Sequence, residues 1–113
     1  MTEITKCELL VMEVIWRNQE SGAEEMSLPM VMEKLKKNYG STWKPQTVST
    51  FLSRLVKKGY LDMYRVSRSF LYHPVVDEQT YLDHHMEEEA NTLFQGNYQR
   101  YKEVVAKFCD AKK

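Results

Sequence analysis

Gln46, Thr47, Ser49, Thr50 and Ser53 lie within about two helical turns of one another, and Arg54, Lys57 and Lys58 follow directly behind them. The first group is slim, uncharged and able to donate and accept hydrogen bonds; the second can neutralise an anion. A partner that rewards both properties carries a hydrogen-bonding code beside a line of negative charge, as the base edges and phosphates of a nucleic-acid duplex do. Lys44 ahead of this stretch and Arg65 and Arg68 beyond it extend the cationic set. From Lys34 to Pro74 nine lysines and arginines face a single acid, Asp62, whereas the chain on either side is net acidic. The formal net charge of +0 therefore conceals a polarised molecule, and where charge sits matters more than its total.

Presenting these residues together requires a helix. Val48, Phe51, Leu52, Leu55 and Val56 recur at helical spacing behind Pro45, which suits a first helical turn, and Gly59 stops the run. Opposite that stripe lie Gln46, Thr50, Ser53 and Lys57, flanked by Thr47 and Arg54 on one side and Ser49 on the other, with no acid among them. Two earlier helices are expected. Thr5 and Glu8 fit a capping box ahead of Leu9, Val11, Met12, Val14, Ile15 and Trp16, and that helix should end near Asn18. A polar loop from Gln19 to Met26 leads to Ser27, which caps a second helix carrying Leu28, Val31, Met32 and Leu35, with Lys34, Lys36 and Lys37 toward its end. After Gly59, the β-favouring Leu61, Met63, Tyr64 and Val66, then Phe70, Leu71 and Tyr72, predict a short hairpin turning around Ser67, Arg68 and Ser69.

Three helices and a hairpin in this order describe a winged helix, a helix-turn-helix variant whose third helix enters the major groove. The rest of the chain reads as two further helices, one with Leu82, Met86, Ala90, Leu93 and Phe94 ahead of Gly96, the other with Tyr98, Tyr101, Val104, Val105 and Phe108. The expected fold is mainly α with a small β-hairpin: a winged-helix DNA-binding domain over 1–76 and a helical dimerisation segment over 77–113. A tail of that size has little core of its own. Leu82, Met86, Leu93, Phe94, Tyr98, Tyr101, Val105 and Phe108 are therefore candidate dimerisation residues.

Composition narrows the alternatives. A chain of 113 residues with 42% hydrophobic content supports one compact domain plus an appended segment. Cys7 and Cys109 make no metal-ligand spacing and no disulfide framework. His84 and His85 are adjacent and diverge on a helix, so no metal site is expected, and no cofactor motif is present. No nucleophile, base and orienting group share a recognisable signature, which argues against an enzyme. No apolar run approaches the roughly 20 residues that cross a bilayer, and Glu3, Lys6 and Glu8 interrupt any signal peptide. A cytoplasmic protein without membrane insertion is expected.

Three stretches carry a family resemblance: VMEVIW at 11–16, TVSTFLSRLVKKGYL at 47–61 and YHP at 72–74. They resemble the first-helix signature, the recognition helix with its Lys-Gly turn, and the Tyr-x-Pro closing the wing in the BlaI/MecI/CopY family of penicillinase and copper-operon repressors. The resemblance covers roughly residues 5–97. It implies a homodimeric transcriptional repressor on a dyad operator of double-stranded DNA, controlling resistance-type genes, with a C-terminal helical dimerisation segment. The copper-responsive branch carries paired Cys-x-Cys motifs, whereas this chain has only Cys109 in its tail. In the β-lactam branch a membrane sensor protease inactivates the repressor by way of cleavage beside a phenylalanine; the nearest counterpart here is Lys107 followed by Phe108, close to the end of the chain.

The competing expectation is a winged-helix module that binds protein rather than DNA, since fold alone does not separate the two. The acid-free outer face of residues 45–58 favours DNA. An aromatic junction of Trp43, Tyr60 and Tyr64 is the remaining candidate for a small-ligand site.

Overall fold

The computed structural model describes residues 1–23 and 25–112. Its elements run α1 (Lys6–Glu20), β1 (Met26–Ser27), α2 (Leu28–Tyr39), α3 (Pro45–Lys57), β2 (Leu61–Val66), β3 (Ser69–Pro74), α4 (Glu78–Phe94) and α5 (Tyr98–Ala111). Glu24, in the expected loop, and Lys113, at the end of the expected helical segment, lie outside the described residues. Two compact units emerge, Met1–Asp77 and Glu78–Lys113.

Helix α1 begins with the reciprocal bonds of a capping box: the Glu8 N–H donates to Thr5 Oγ1 at 3.2 Å and the Thr5 N–H donates to Glu8 Oε1 at 2.8 Å. It continues past the expected end near Asn18 to Glu20, where Arg17 bridges Glu13 and Glu20 on neighbouring turns. Ser27 caps α2, its hydroxyl accepting from the Met30 N–H at 3.5 Å, and Gly40 closes that helix with φ 64°. In α3 the N-cap is Lys44, which makes no side-chain cap bond; Pro45 in the first turn lacks one of the N–H groups a cap would serve.

Strands β2 and β3 pair antiparallel from Leu61↔Pro74 to Val66↔Ser69. Ser69 thus belongs to the ladder, and the loop shrinks from the expected three residues to Ser67 and Arg68, with Ser67 in the left-handed region at φ 58°. Sequence periodicity does not reveal β1. It is two residues long, yet it pairs Met26 with Tyr72 and Ser27 with Leu71, giving the sheet order β1-β3-β2. Ser27 is both a ladder residue and the cap of α2.

The core of the first unit joins Val11, Met12, Val14, Ile15 and Trp16 of α1 to Val31 and Leu35 of α2 and to Val48, Leu52 and Leu55 of α3, with Met26, Tyr60, Leu61 and Tyr72 from the sheet side. Leu9 was expected on the buried stripe but is half-buried; the fully buried residue beside it is the acid Glu8. Two long-range bonds fasten the end of the unit. Trp16 Nε1 donates to the Val76 carbonyl at 3.1 Å, and the Tyr60 carbonyl accepts from the Val75 N–H at 2.8 Å.

In the second unit α4 and α5 form an antiparallel-type hairpin reversed at Gln95 (φ 52°) and Gly96 (φ 79°), and Asn97 caps α5 by accepting from the Arg100 N–H at 3.0 Å. Phe94 and Tyr101 meet edge to face with ring centroids 5.4 Å apart, and the Tyr101 hydroxyl donates to Glu89 at 3.3 Å. Among the described residues, Ala90 alone is fully buried in this unit.

Leu52 makes no contact with solvent (0% exposed), so Leu52→Ala leaves a cavity under the middle of α3. Urea unfolding should show a loss of about 2–5 kcal/mol, read as a lower midpoint at unchanged slope.

Candidate nucleic-acid interface

The buried stripe Val48, Leu52 and Leu55 fixes the rotation of α3, and the opposite face follows from helical geometry. Gln46, Thr50, Ser53, Arg54 and Lys57 are exposed, while Thr47 and Ser49 are half-buried at its flanks. Lys44 is exposed at the start of the helix, and Arg65 and Arg68 are exposed on the hairpin. Among the described residues none of Lys44, Arg54, Lys57 and Arg68 has an acidic partner. Their charge is available to an external anion. Arg65 Nε donates to the Ser67 carbonyl at 3.1 Å, which holds this guanidinium against the turn that carries Arg68.

The hydroxyls of α3 are not equivalent. Thr50 Oγ1 donates to the Gln46 carbonyl at 2.9 Å, one turn back, so its proton is already committed. What it offers outward is an acceptor lone pair and a methyl group, suited to an exocyclic amine or a thymine methyl. Gln46, on the same face, keeps an amide able to donate and accept.

Lys58 departs from the expectation that groups it with the phosphate-facing cations. It is the C-cap of α3, and its Nζ lies 2.6 Å from Glu8 Oε1, a carboxylate with no exposure at all. At this point the chain turns inward, so the ammonium is drawn to the start of α1. Desolvation raises the Glu8 pKa, but the Lys58 hydrogen bond and charge and the bonds with Thr5 together hold it below its ordinary 4.5. Sequence periodicity missed this pair because Glu8 reads fully as a capping residue and Lys58 as one more cation in a basic run.

The aromatic junction proposed from the sequence divides among separate partners. Trp43 packs edge-on against Phe51 with centroids 5.1 Å apart, Tyr60 is buried with its hydroxyl donating to the Thr2 carbonyl, and Tyr64 hydrogen-bonds Glu25. In the second unit, the candidate dimerisation residues also divide. Phe94 and Tyr101 are half-buried against each other, whereas Leu93 (58%), Tyr98 (57%) and Phe108 (59%) are open to solvent, and Leu82, Met86 and Val105 are exposed as well.

Three helices, a wing and an unopposed basic outer face on the third helix define a DNA-binding winged-helix protein. The family model described as "Penicillinase repressor" matches residues 4–113, and the chain belongs to that family, whose members are transcriptional repressors rather than enzymes. The penicillinase repressor of Bacillus licheniformis is 36% identical over 94 residues, which cover 83% of this chain and 68% of the relative. The methicillin resistance regulatory protein MecI of Staphylococcus aureus (strain N315) is 27% identical over 96 residues, covering 85% and 72%. Among solved structures, monomeric Bacillus licheniformis BlaI in complex with the blaP half-operator superposes with a TM-score of 0.54 at 39% identity, over 71% of this chain and 89% of that one.

Glu8 generates a pH dependence with a defined sign. Because its carboxyl sits lower when folded than its ordinary 4.5, its stabilising contribution is complete above that value and is lost as pH falls through the lowered folded value. In urea unfolding, the stability difference between the unaltered chain and Glu8→Gln should be constant from pH 7 to 5 and shrink steadily below about 4.5.

Proposed function

We propose that this protein is a transcriptional repressor that binds a dyad operator in double-stranded DNA as a homodimer, reading bases with α3 and holding phosphates with the ends of α3 and the wing. The carrying observation is the outer face of α3, where slim hydrogen-bonding side chains and unpaired cations lie together with no acid. Gln46, Thr47, Ser49, Thr50 and Ser53 are the base-reading candidates. Lys44, Arg54, Lys57, Arg65 and Arg68 are the phosphate-binding candidates, with Lys58 supporting them from within.

The operator bound by the BlaI relative supports DNA as the partner class. Support for the homodimer comes from the apolar side chains of α4 and α5 that stay uncovered, Leu82, Met86, Leu93, Tyr98, Val105 and Phe108. A two-fold dimer would pair two winged helices with two half-sites. We assign DNA binding to residues 1–76 and dimerisation to 77–113, in a cytoplasmic protein; no helix among the described residues is long and apolar enough to cross a membrane. Inactivation by a membrane sensor protease has its best counterpart at Lys107–Phe108, both exposed on α5.

Gel-shift titration against the DNA upstream of the chain's own gene tests the central reading. Arg54→Ala and Lys57→Ala should each weaken binding to all sequences and flatten the slope of log affinity against log salt by about 0.9. Thr47→Ala and Thr50→Ala should instead narrow the gap between operator and random DNA, by about 1–3 kcal/mol at the base concerned. No retardation of any duplex at low salt sinks the proposal. Sedimentation should give a dimer at micromolar concentration, reduced to monomer by Leu93→Glu combined with Phe108→Glu; a monomeric unaltered chain removes the dimer.

A further inference from the structure

A buried ion pair lies directly beneath the phosphate-facing end of α3. Glu8 is 0% exposed, and its Oε1 receives both the Lys58 ammonium at 2.6 Å and the Thr5 N–H at 2.8 Å. Its other oxygen, Oε2, is buried and has no hydrogen-bond partner among the described residues. Lys58 itself caps α3, its N–H donating to the Arg54 carbonyl at 2.9 Å, and the Tyr60 N–H returns to the Leu55 carbonyl at 2.9 Å. Two residues beyond Lys58, the buried Tyr60 hydroxyl donates to Thr2. The last turn of α3 is thereby fastened to the chain entering α1 at two points.

Lys57 and Lys58 are neighbours whose side chains diverge by about a quarter turn of helix. Lys57 is exposed and without an acidic partner, while Lys58 is pulled inward. Arg54 and Lys57 lie in this same last turn of α3, where Leu55 is the last fully buried residue. A buried ion pair is a costly device for stability alone, since apolar residues of similar volume often serve as well or better.

We infer that Glu8 and Lys58 form a positioning pair that holds the C-terminal end of the recognition helix, whose rotation the buried stripe sets, in register on DNA, and that Lys58 does not contact phosphate. This rests on the DNA-binding reading above. It assigns to Glu8, a fully buried α1 residue that is not itself open to DNA, a part in operator discrimination.

The test uses the full-length chain and titrates the operator and a random duplex from about 50 to 200 mM salt, with melting curves confirming that each variant is folded at the assay temperature. Lys57→Met, as the control, should lower the salt slope by about 0.9 and leave the operator-to-random ratio nearly unchanged. Lys58→Met should keep the full slope while the ratio falls about tenfold, and Glu8→Gln should lower the ratio likewise. The double variant should lose less than the two single losses combined, because no buried charge is left alone. If Lys58→Met melts below the assay temperature, the double variant supplies the slope comparison.

A slope loss in Lys58→Met equal to that of Lys57→Met, or an unchanged ratio, overturns the pair while DNA binding stands. An unaltered chain that binds no duplex overturns the DNA-binding reading itself, and the positioning role with it.

Discussion

One helix must satisfy two environments at once. The thirteen residues of α3 bury Val48, Leu52 and Leu55 in the core and turn Gln46, Thr50, Ser53, Arg54 and Lys57 to solvent, and neither set can move without the other. Burial of the stripe is worth about 1.5–3 kcal/mol per large side chain, far more than any exposed charge contributes to folding. The core thus decides the orientation of the polar face. Helices α1 and α2 supply the surface against which that decision is made, and the sheet closes its remaining side.

Much of this was legible in the chain. The stripe in α3, the capping box at Thr5 and Glu8, Ser27 as a helix cap and Gly59 as a stop all depend on local chemistry, which the order of residues expresses directly. What escaped reading was non-local. A two-residue strand has no period to detect, so β1 is visible only once β3 lies beside it. The Glu8–Lys58 pair joins positions 50 apart in sequence, and each residue already has a sufficient local explanation. The split of Phe94 and Tyr101 from the other apolar residues of the tail has the same origin: helical spacing marks a stripe without saying which part of it meets the neighbouring helix.

The two units differ in how far each one covers its own apolar surface. The first builds its interior from three helices and a sheet and hides Trp16, Tyr60 and Tyr72 in it, though Tyr39, Tyr64 and Phe70 stay exposed. The second has two helices, ring contacts at Tyr81–His85 and Phe94–Tyr101 and, among the described residues, one buried alanine, and leaves leucine, methionine, valine, tyrosine and phenylalanine side chains in water. A helical pair with that much uncovered hydrocarbon falls short of a self-sufficient core. On the homodimer proposed above, its folding and its association with a second copy would be a single equilibrium that depends on subunit concentration.

The short strand β1 has a mechanical consequence. Met26 and Ser27 pair only with Tyr72 and Leu71, so the middle of β3 is held between two strands while the stretch from Arg65 to Phe70 projects past the last β1 partner. Toward its tip the wing is held by the β2–β3 ladder alone. Because Ser27 also caps α2, the three-stranded part of the sheet is joined directly to that helix. Arg65 and Arg68 both lie beyond that mounting, so whatever meets them bears on a part of the hairpin that β1 does not hold and not directly on the helices beneath it.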